Sequence, residues 1–233
     1  RAASAQVDLF DIAAARGGHD PEFYRAGIAM LRATDELIDR AATASALGLE
    51  VVRAHDRGCP QDAAASCDEV NECSVWINDH VTERVSEWNA RANLCGVVGG
   101  DHSVAFGSIR AHAESAPGLG VLQFDAHADL RVNYQGFVDS HASVMHRVMD
   151  QLPKVARLVS VGVRDICAEE YAATQGSEGR IVPFYDVDLK RRVHGGENFD
   201  TLAREIAESL PELVYVSFDI DGLDPSLCPH TGT

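Results

Sequence analysis

Basic residues are scarce in this sequence. Lys and Arg together number 20 against 36 Asp and Glu, a formal net charge of −16 over 233 residues. Nucleic acid and anionic membrane surfaces attract the opposite balance, so neither is expected as a partner. A small cationic ligand fits the charge better. No apolar run reaches membrane-span length and no signal peptide opens the chain, which reads as a cytoplasmic protein. No CxxC pair occurs among Cys59, Cys67, Cys73, Cys95, Cys167 and Cys228. These thiols read as buried or incidental ones in a reducing compartment. No internal repeat, low-complexity tract or linker interrupts the chain, so 1–233 reads as a single domain. With 45% hydrophobic residues, it is long enough to bury a sizeable core.

What is present alternates. Helical spacing marks 22–45, 69–92, 103–115, 141–152 and 199–210. Short apolar runs at 49–54 ("LEVVRA"), 94–98 ("LCGVV"), 120–126, 156–165, 180–185 and 212–221 read as strands. Strands that are continuous apolar runs, separated by helices, predict a three-layer α/β/α fold with a mainly parallel sheet. In such sheets ligands collect just past the C-terminal ends of the strands. The opening "RAASAQVDLFD" has no strand before it, and the chain stops at "PHTGT" directly after its strongest acidic motif. Both ends are therefore read as truncated.

Three strand ends carry metal-type ligands. "VVGGDHS" supplies Asp101 and His102; "FDAHADLR" supplies Asp125, His127 and Asp129; "SFDIDGLDP" supplies Asp219, Asp221 and Asp224. A single Asp-x-Asp is an ordinary cap or turn, and "GGDHS" alone could be a turn into a helix. Three such groups at three strand ends are another matter. On an extended strand exit, residues i, i+2 and i+4 share a face, so the sets can converge across neighbouring strands. Facing carboxylates repel, and protonation or a cation must relieve them. Mixed imidazole and carboxylate ligands suit Mn, Zn, Fe or Ni more than Ca or Mg. Two divalent ions sharing carboxylates would neutralise the cluster and activate a water.

These motifs resemble the ureohydrolases: arginase, agmatinase, formimidoylglutamase and relatives. "GGDHS", "DAHADLR" and "SFDIDGLDP", with "TGT" after the third, match that family's metal-binding motifs in order, from about Leu94 onward. The resemblance implies an arginase-like fold and two manganese ions per chain. One would be held by His102, Asp125, Asp129 and Asp219, the other by His127, Asp125, Asp219 and Asp221, with Asp125 and Asp219 bridging. It further implies hydrolysis of a guanidinium or similar amidine to urea or its equivalent, by a hydroxide whose hydrogen bond Asp129 accepts. His141, in "DSHASVMHR", matches the family's mobile proton-shuttling histidine. Asp129 and His141 are thus the expected catalytic residues. The family's guanidinium-orienting glutamate normally lies beyond the "TGT" and is absent from these residues. Assembly into trimers or hexamers is also implied.

Two positions speak to the substrate. Arginase has an asparagine where this chain has Arg131, and an acid for the α-amino group where Cys167 stands. A thiol cannot pair with an ammonium, which ranks arginine low. The "SHA-x-VM-R" pattern is similar to agmatinase-type members, so agmatine or a related guanidino compound is expected. "DLR" also occurs in formimidoylglutamase, where Arg131 could meet a glutamate carboxylate; otherwise Arg131 is locked locally, for example by Asp139. Outside this class stand histone-deacetylase-like enzymes with one zinc, and a non-catalytic metal-binding scaffold. The histidine of "GGDHS" and the second acid of "DxD" supply ligands for a second ion, which disfavours the zinc enzymes.

Overall fold

The computed structural model describes residues 10–22, 25, 27, 29–91 and 94–231. The start of "RAASAQVDLFD" and the last two residues of "TGT" lie outside the described residues. The chain divides into two units, Arg1–Ile38 and Asp39–Thr233. The first holds a short helix, α1 (Ile12–Arg16), whose N-cap Asp11 accepts from the Ala14 N–H.

Helix α2 spans Asp35–Asp56. The spacing predicts a helix from residue 22, but the start signal lies later. Thr34 Oγ1 accepts from the Leu37 N–H, and Asp35 and Glu36 place acid in the first turn, where the helix dipole favours it. The same helix absorbs "LEVVRA", which is not a strand. Val51 and Ala54 are its buried residues, and this spacing of three lies on one helical face. They pack with Ala63, Cys67 and Phe137. No proline breaks the alanine-rich run before them, so the helix continues through the β-branched pair Val51–Val52.

Helix α3 (Ala64–Asn89) follows. "LCGVV" then disappoints the strand reading. It carries no regular structure, Leu94 is fully exposed and Val98 nearly so. A strand needs a hydrogen-bonding neighbour, and this segment has none among the described residues.

The remaining elements build the sheet. Helix α4 is Ala105–Ser115 and β1 is Gly120–Phe124. Helix α5 is Val144–Gln151 and β2 is Arg157–Val163. Helix α6 is Ala168–Gly176, β3 is Ile181–Tyr185 and α7 is Asp186–His194. Helix α8 (Phe199–Glu208) leads into β4 (Val214–Phe218). The four strands form one sheet in the order β3-β2-β1-β4, every pairing parallel. Helices lie on both sides, as expected for parallel strands joined by crossovers. Ile109, Val121, Met145, Val148 and Leu158 are among the fully buried side chains of the main core.

Besides the short α1, two helices escaped sequence reading although their ends are signposted. Helix α7 carries Asp186 and Asp188 in its first turn and Arg191, Arg192 and His194 in its last, matching the dipole at both ends. Helix α6 opens on a reciprocal capping box between Cys167 and Glu170.

No helix among the described residues is long and apolar enough to cross a membrane. All six cysteines are free thiols.

Candidate metal centre

Each expected ligand leaves the end of an element. Asp101 caps a 3-10 turn, His102–Val104, that leads into α4. Asp125, His127 and Asp129 follow β1. Asp219 follows β4 and caps a second 3-10 turn, Ile220–Gly222, that carries Asp221. Because β1 and β4 are adjacent and parallel, their exits meet.

Two donor sets result: His102, Asp125 and Asp129, and Asp125, His127 and Asp221, with the ligand atoms of each within 4.8 Å of one another. Asp125 belongs to both. His102 Nδ1 lies 2.7 Å from Asp129 Oδ2, 3.1 Å from Asp125 Oδ2 and 3.6 Å from Asp219 Oδ2. Despite these neighbours, that buried nitrogen forms no well-directed hydrogen bond. It points into the space between three carboxylates, as a metal-ligating imidazole does. His127 Nδ1 lies 3.1 Å from Asp221 Oδ2 and 3.5 Å from Asp125 Oδ1. Asp125, Asp129 and Asp221 are buried. The donor chemistry and the orphaned nitrogen fit divalent metal.

Without metal, protons substitute for it. Burial would lower the His102 pKa, but contact with Asp125 and Asp129 outweighs this and lifts it to about 10. Contact with Asp125 raises His127 to about 9 against burial, with Asp221 adding. Burial opposes ionisation of Asp125, yet the two histidines hold it below the usual carboxylate range. Asp129 and Asp221 move up, driven first by burial and reinforced by the charge of Asp125.

The sheet beneath is built for these ligands. Ser160, Gln123 and Ser217 stand in register across β2, β1 and β4, and all three are buried. Ser160 Oγ donates to Gln123 Oε1 at 2.7 Å, and Gln123 Nε2 donates to Asp125 Oδ2 at 2.9 Å. Ser217 Oγ lies 2.8 Å from His102 Nε2, which leaves Nδ1 for metal. Sequence reasoning missed this row. Its signal was a polar residue inside each of three apolar strands, "VLQF", "LVSV" and "YVSF". Gln123→Leu is expected to lower metal affinity by about 10- to 100-fold, the usual effect of losing an outer partner. Calorimetric titration of metal-free protein measures it.

The backbone is equally close. A Cβ at Gly222 would sit 2.9 Å from the Asp125 nitrogen, so only glycine lets the third motif approach the second. Arg164 holds that turn, its guanidinium donating to the carbonyls of Asp221, Gly222 and Leu223.

The six ligands line a cleft of about 350 Å³, with Arg131, Tyr134, His141, Asp165 and Glu170 around them. His141 is more than half exposed, with Nδ1 3.6 Å from Asp101 Oδ2 and its ring edge-on to Tyr134. Contact with Asp101 raises its pKa. The Arg131 guanidinium sits over the Tyr134 ring, 5.5 Å from its centroid. It is not locked by Asp139, which pairs with Arg147 at 2.9 Å. Cys167 is not among the cleft-lining residues; it caps α6. Glu170 and Asp165 line the cleft although the sequence reading gave them no role. A second cleft, of about 320 Å³ between β3, α7 and α8, holds charges that already pair, Arg192 with Glu205 and Asp188 with Arg191.

Residues 6–233 match the model of the arginase family. The chain is 38% identical over 138 residues to the N(1)-aminopropylagmatine ureohydrolase of Thermus thermophilus, covering 58% of this chain and 42% of that protein. It is 31% identical over 185 residues to mitochondrial arginase-2 of Bos taurus, covering 70% and 51%. The agmatine ureohydrolase of Thermoplasma volcanium superposes with a TM-score of 0.58 at 28% identity, over 69% of this chain and 50% of that one. The chain spans about half the length of the curated relatives it matches. Two strand-end motifs, a third on the turn into α4, a parallel sheet beneath them, and a family match over nearly the whole chain agree: this chain belongs to the arginase family.

Proposed function

We propose that this chain carries the metal-binding part of a guanidino hydrolase that holds two manganese ions and releases urea from an agmatine-type substrate. The observation that carries the reading is the pair of donor sets sharing Asp125 at the base of the cleft. His102, Asp125, Asp129 and Asp219 would hold one ion, and His127, Asp125, Asp219 and Asp221 the other. Such a pair lowers the pKa of a bound water and offsets developing negative charge.

The rest falls to the chain itself. The cleft admits a planar cation to a floor rich in carboxylates. Asp165, with 70% of its side chain exposed at the cleft, is placed to meet a distal ammonium. Asp129, buried at the base of the cleft, would accept the hydrogen bond of the hydroxide. His141, kept readily protonated by Asp101, is placed to hand a proton to the leaving amine. Similarity to proteins named N(1)-aminopropylagmatine ureohydrolase and agmatine ureohydrolase supports a substrate without the arginine α-carboxylate.

Full-length protein is expected to release urea from agmatine with kcat/KM at least about 100-fold above arginine, roughly 2.7 kcal/mol of transition-state binding. Faster turnover of arginine would sink the substrate assignment and leave the metal centre standing. A second reading rests on Arg131, which lines the cleft and suits an anionic tail. If formimidoylglutamate is the better substrate, Arg131→Ala should abolish that preference. We further propose that the full-length protein assembles as a trimer or hexamer; sedimentation as a monomer at micromolar concentration contradicts that.

A further inference from the structure

We infer that Glu170 is a positioning residue for the metal ligand Asp129, holding the backbone turn that aims its carboxylate. The inference rests on the metal reading above.

Asp129 adopts a left-handed backbone, φ 55°, which residues other than glycine adopt at a cost and keep only where their surroundings fix it. Two anchors fix it. The carbonyl of the Asp129–Leu130 peptide accepts from the backbone N–H groups of Met145 and His146, at 3.0 and 3.1 Å, in the first turn of α5. The N–H of the same peptide, that of Leu130, donates 3.0 Å to Glu170 Oε1. With its carbonyl and its N–H both tied, the peptide that follows Asp129 is held in one orientation.

Glu170 is suited to this and to little else. It stands in the first turn of α6, where its Oε2 accepts from the Cys167 N–H at 2.9 Å. A capping-box glutamate normally serves only its own helix. Here the side chain is 4% exposed, and its second oxygen reaches a residue 40 positions earlier in the chain. No cation pairs with it among the described residues. A buried carboxylate is costly unless its hydrogen bonds are made, so its presence at the cleft wall calls for a function.

The test is metal binding by full-length, metal-free protein. Co(II) is titrated by calorimetry and followed by its visible absorption, which reports ligand geometry. Glu170→Gln keeps the shape but can accept only one of the two N–H groups. It is expected to weaken one of the two ions about 10- to 100-fold and change the spectrum of that ion alone. Glu170→Asp retains the charge, loses the reach, and should behave likewise; it carries the test if Glu170→Gln does not fold. A cycle with Asp129→Ala decides the route. If Glu170 acts through Asp129, adding Glu170→Gln to Asp129→Ala has no further effect on affinity. An additive loss means that Glu170 acts by charge at a distance, and overturns the inference. Val51→Ala, in the separate hydrophobic cluster with Ala54 and Ala63, should lower Tm and leave the spectrum unchanged; an equal change there reduces Glu170 to general support and also overturns it. Two ions bound by wild type and, unaltered, by both Glu170 variants overturns the Glu170 role alone. No uptake by wild type overturns the metal reading and this inference together.

Discussion

Loading the metal-free protein with two divalent ions at pH 8 should expel about two protons, and the overall binding constant should rise by at least about 10⁴-fold between pH 6 and pH 8. The sign follows from the histidines. His102 and His127 titrate near 10 and 9 in the metal-free cluster, both above the ordinary imidazole value. Throughout this window each carries a proton that must leave before nitrogen can bind metal. Each obligatory proton contributes a tenfold change per pH unit, so the two histidines across two units give that minimum, and Asp129, whose ionisation burial opposes, adds to the count toward pH 6. Affinity therefore rises with pH and collapses in acid. Titrations in buffers of different ionisation enthalpy count the protons directly. A count near zero at pH 7 would mean that the histidines are neutral without metal, and that the ion-pair description of the metal-free cluster is wrong.

His141→Ala should leave both ions bound and reduce kcat by about 100-fold or more, the usual contribution of a positioned acid or base. Its ring lies at the cleft against Tyr134 and within ion-pair reach of Asp101, outside both donor sets. More than half of its side chain is exposed, so its removal should change Tm little. Loss of metal in this variant would reassign the residue as a ligand. Asp101→Asn offers an internal check: without the carboxylate that raises the His141 pKa, the acidic form should disappear at lower pH, and activity that depends on it should fall earlier as pH rises.

The sequence showed most where chemistry is concentrated in short motifs. Five of the six expected ligands fall into two donor sets, with Asp219 beside them but in neither, because each leaves a strand or turn at the same edge of a parallel sheet. The strands β1 to β4 were legible as apolar runs. The readings that failed turned on context that local composition does not express. "LEVVRA" has strand composition, but an unbroken helix precedes it. "LCGVV" has the composition of a buried strand and no neighbour among the described residues. Arg131 lies over Tyr134 while Asp139 pairs with Arg147, a choice that local sequence cannot express. The polar row Ser160–Gln123–Ser217 and the Leu130–Glu170 bond were invisible for the same reason: each exists only once register and packing are known.

That polar row has a consequence for how the molecule reaches its native state. Side chains alternate across a strand, so slipping β1 by one residue against either neighbour would turn Gln123 to the opposite face and bring Leu122 or Phe124 beneath the ligands. Asp125 would lose its amide donor and His102 its hydroxyl partner. Only the correctly aligned sheet can then hold metal tightly, and a ligand that binds one state stabilises that state alone. Metal available during refolding should act as a proofreader of strand alignment. It should raise the yield of native protein without speeding the first collapse, and chelation during refolding should leave compact molecules that recover slowly when metal is returned.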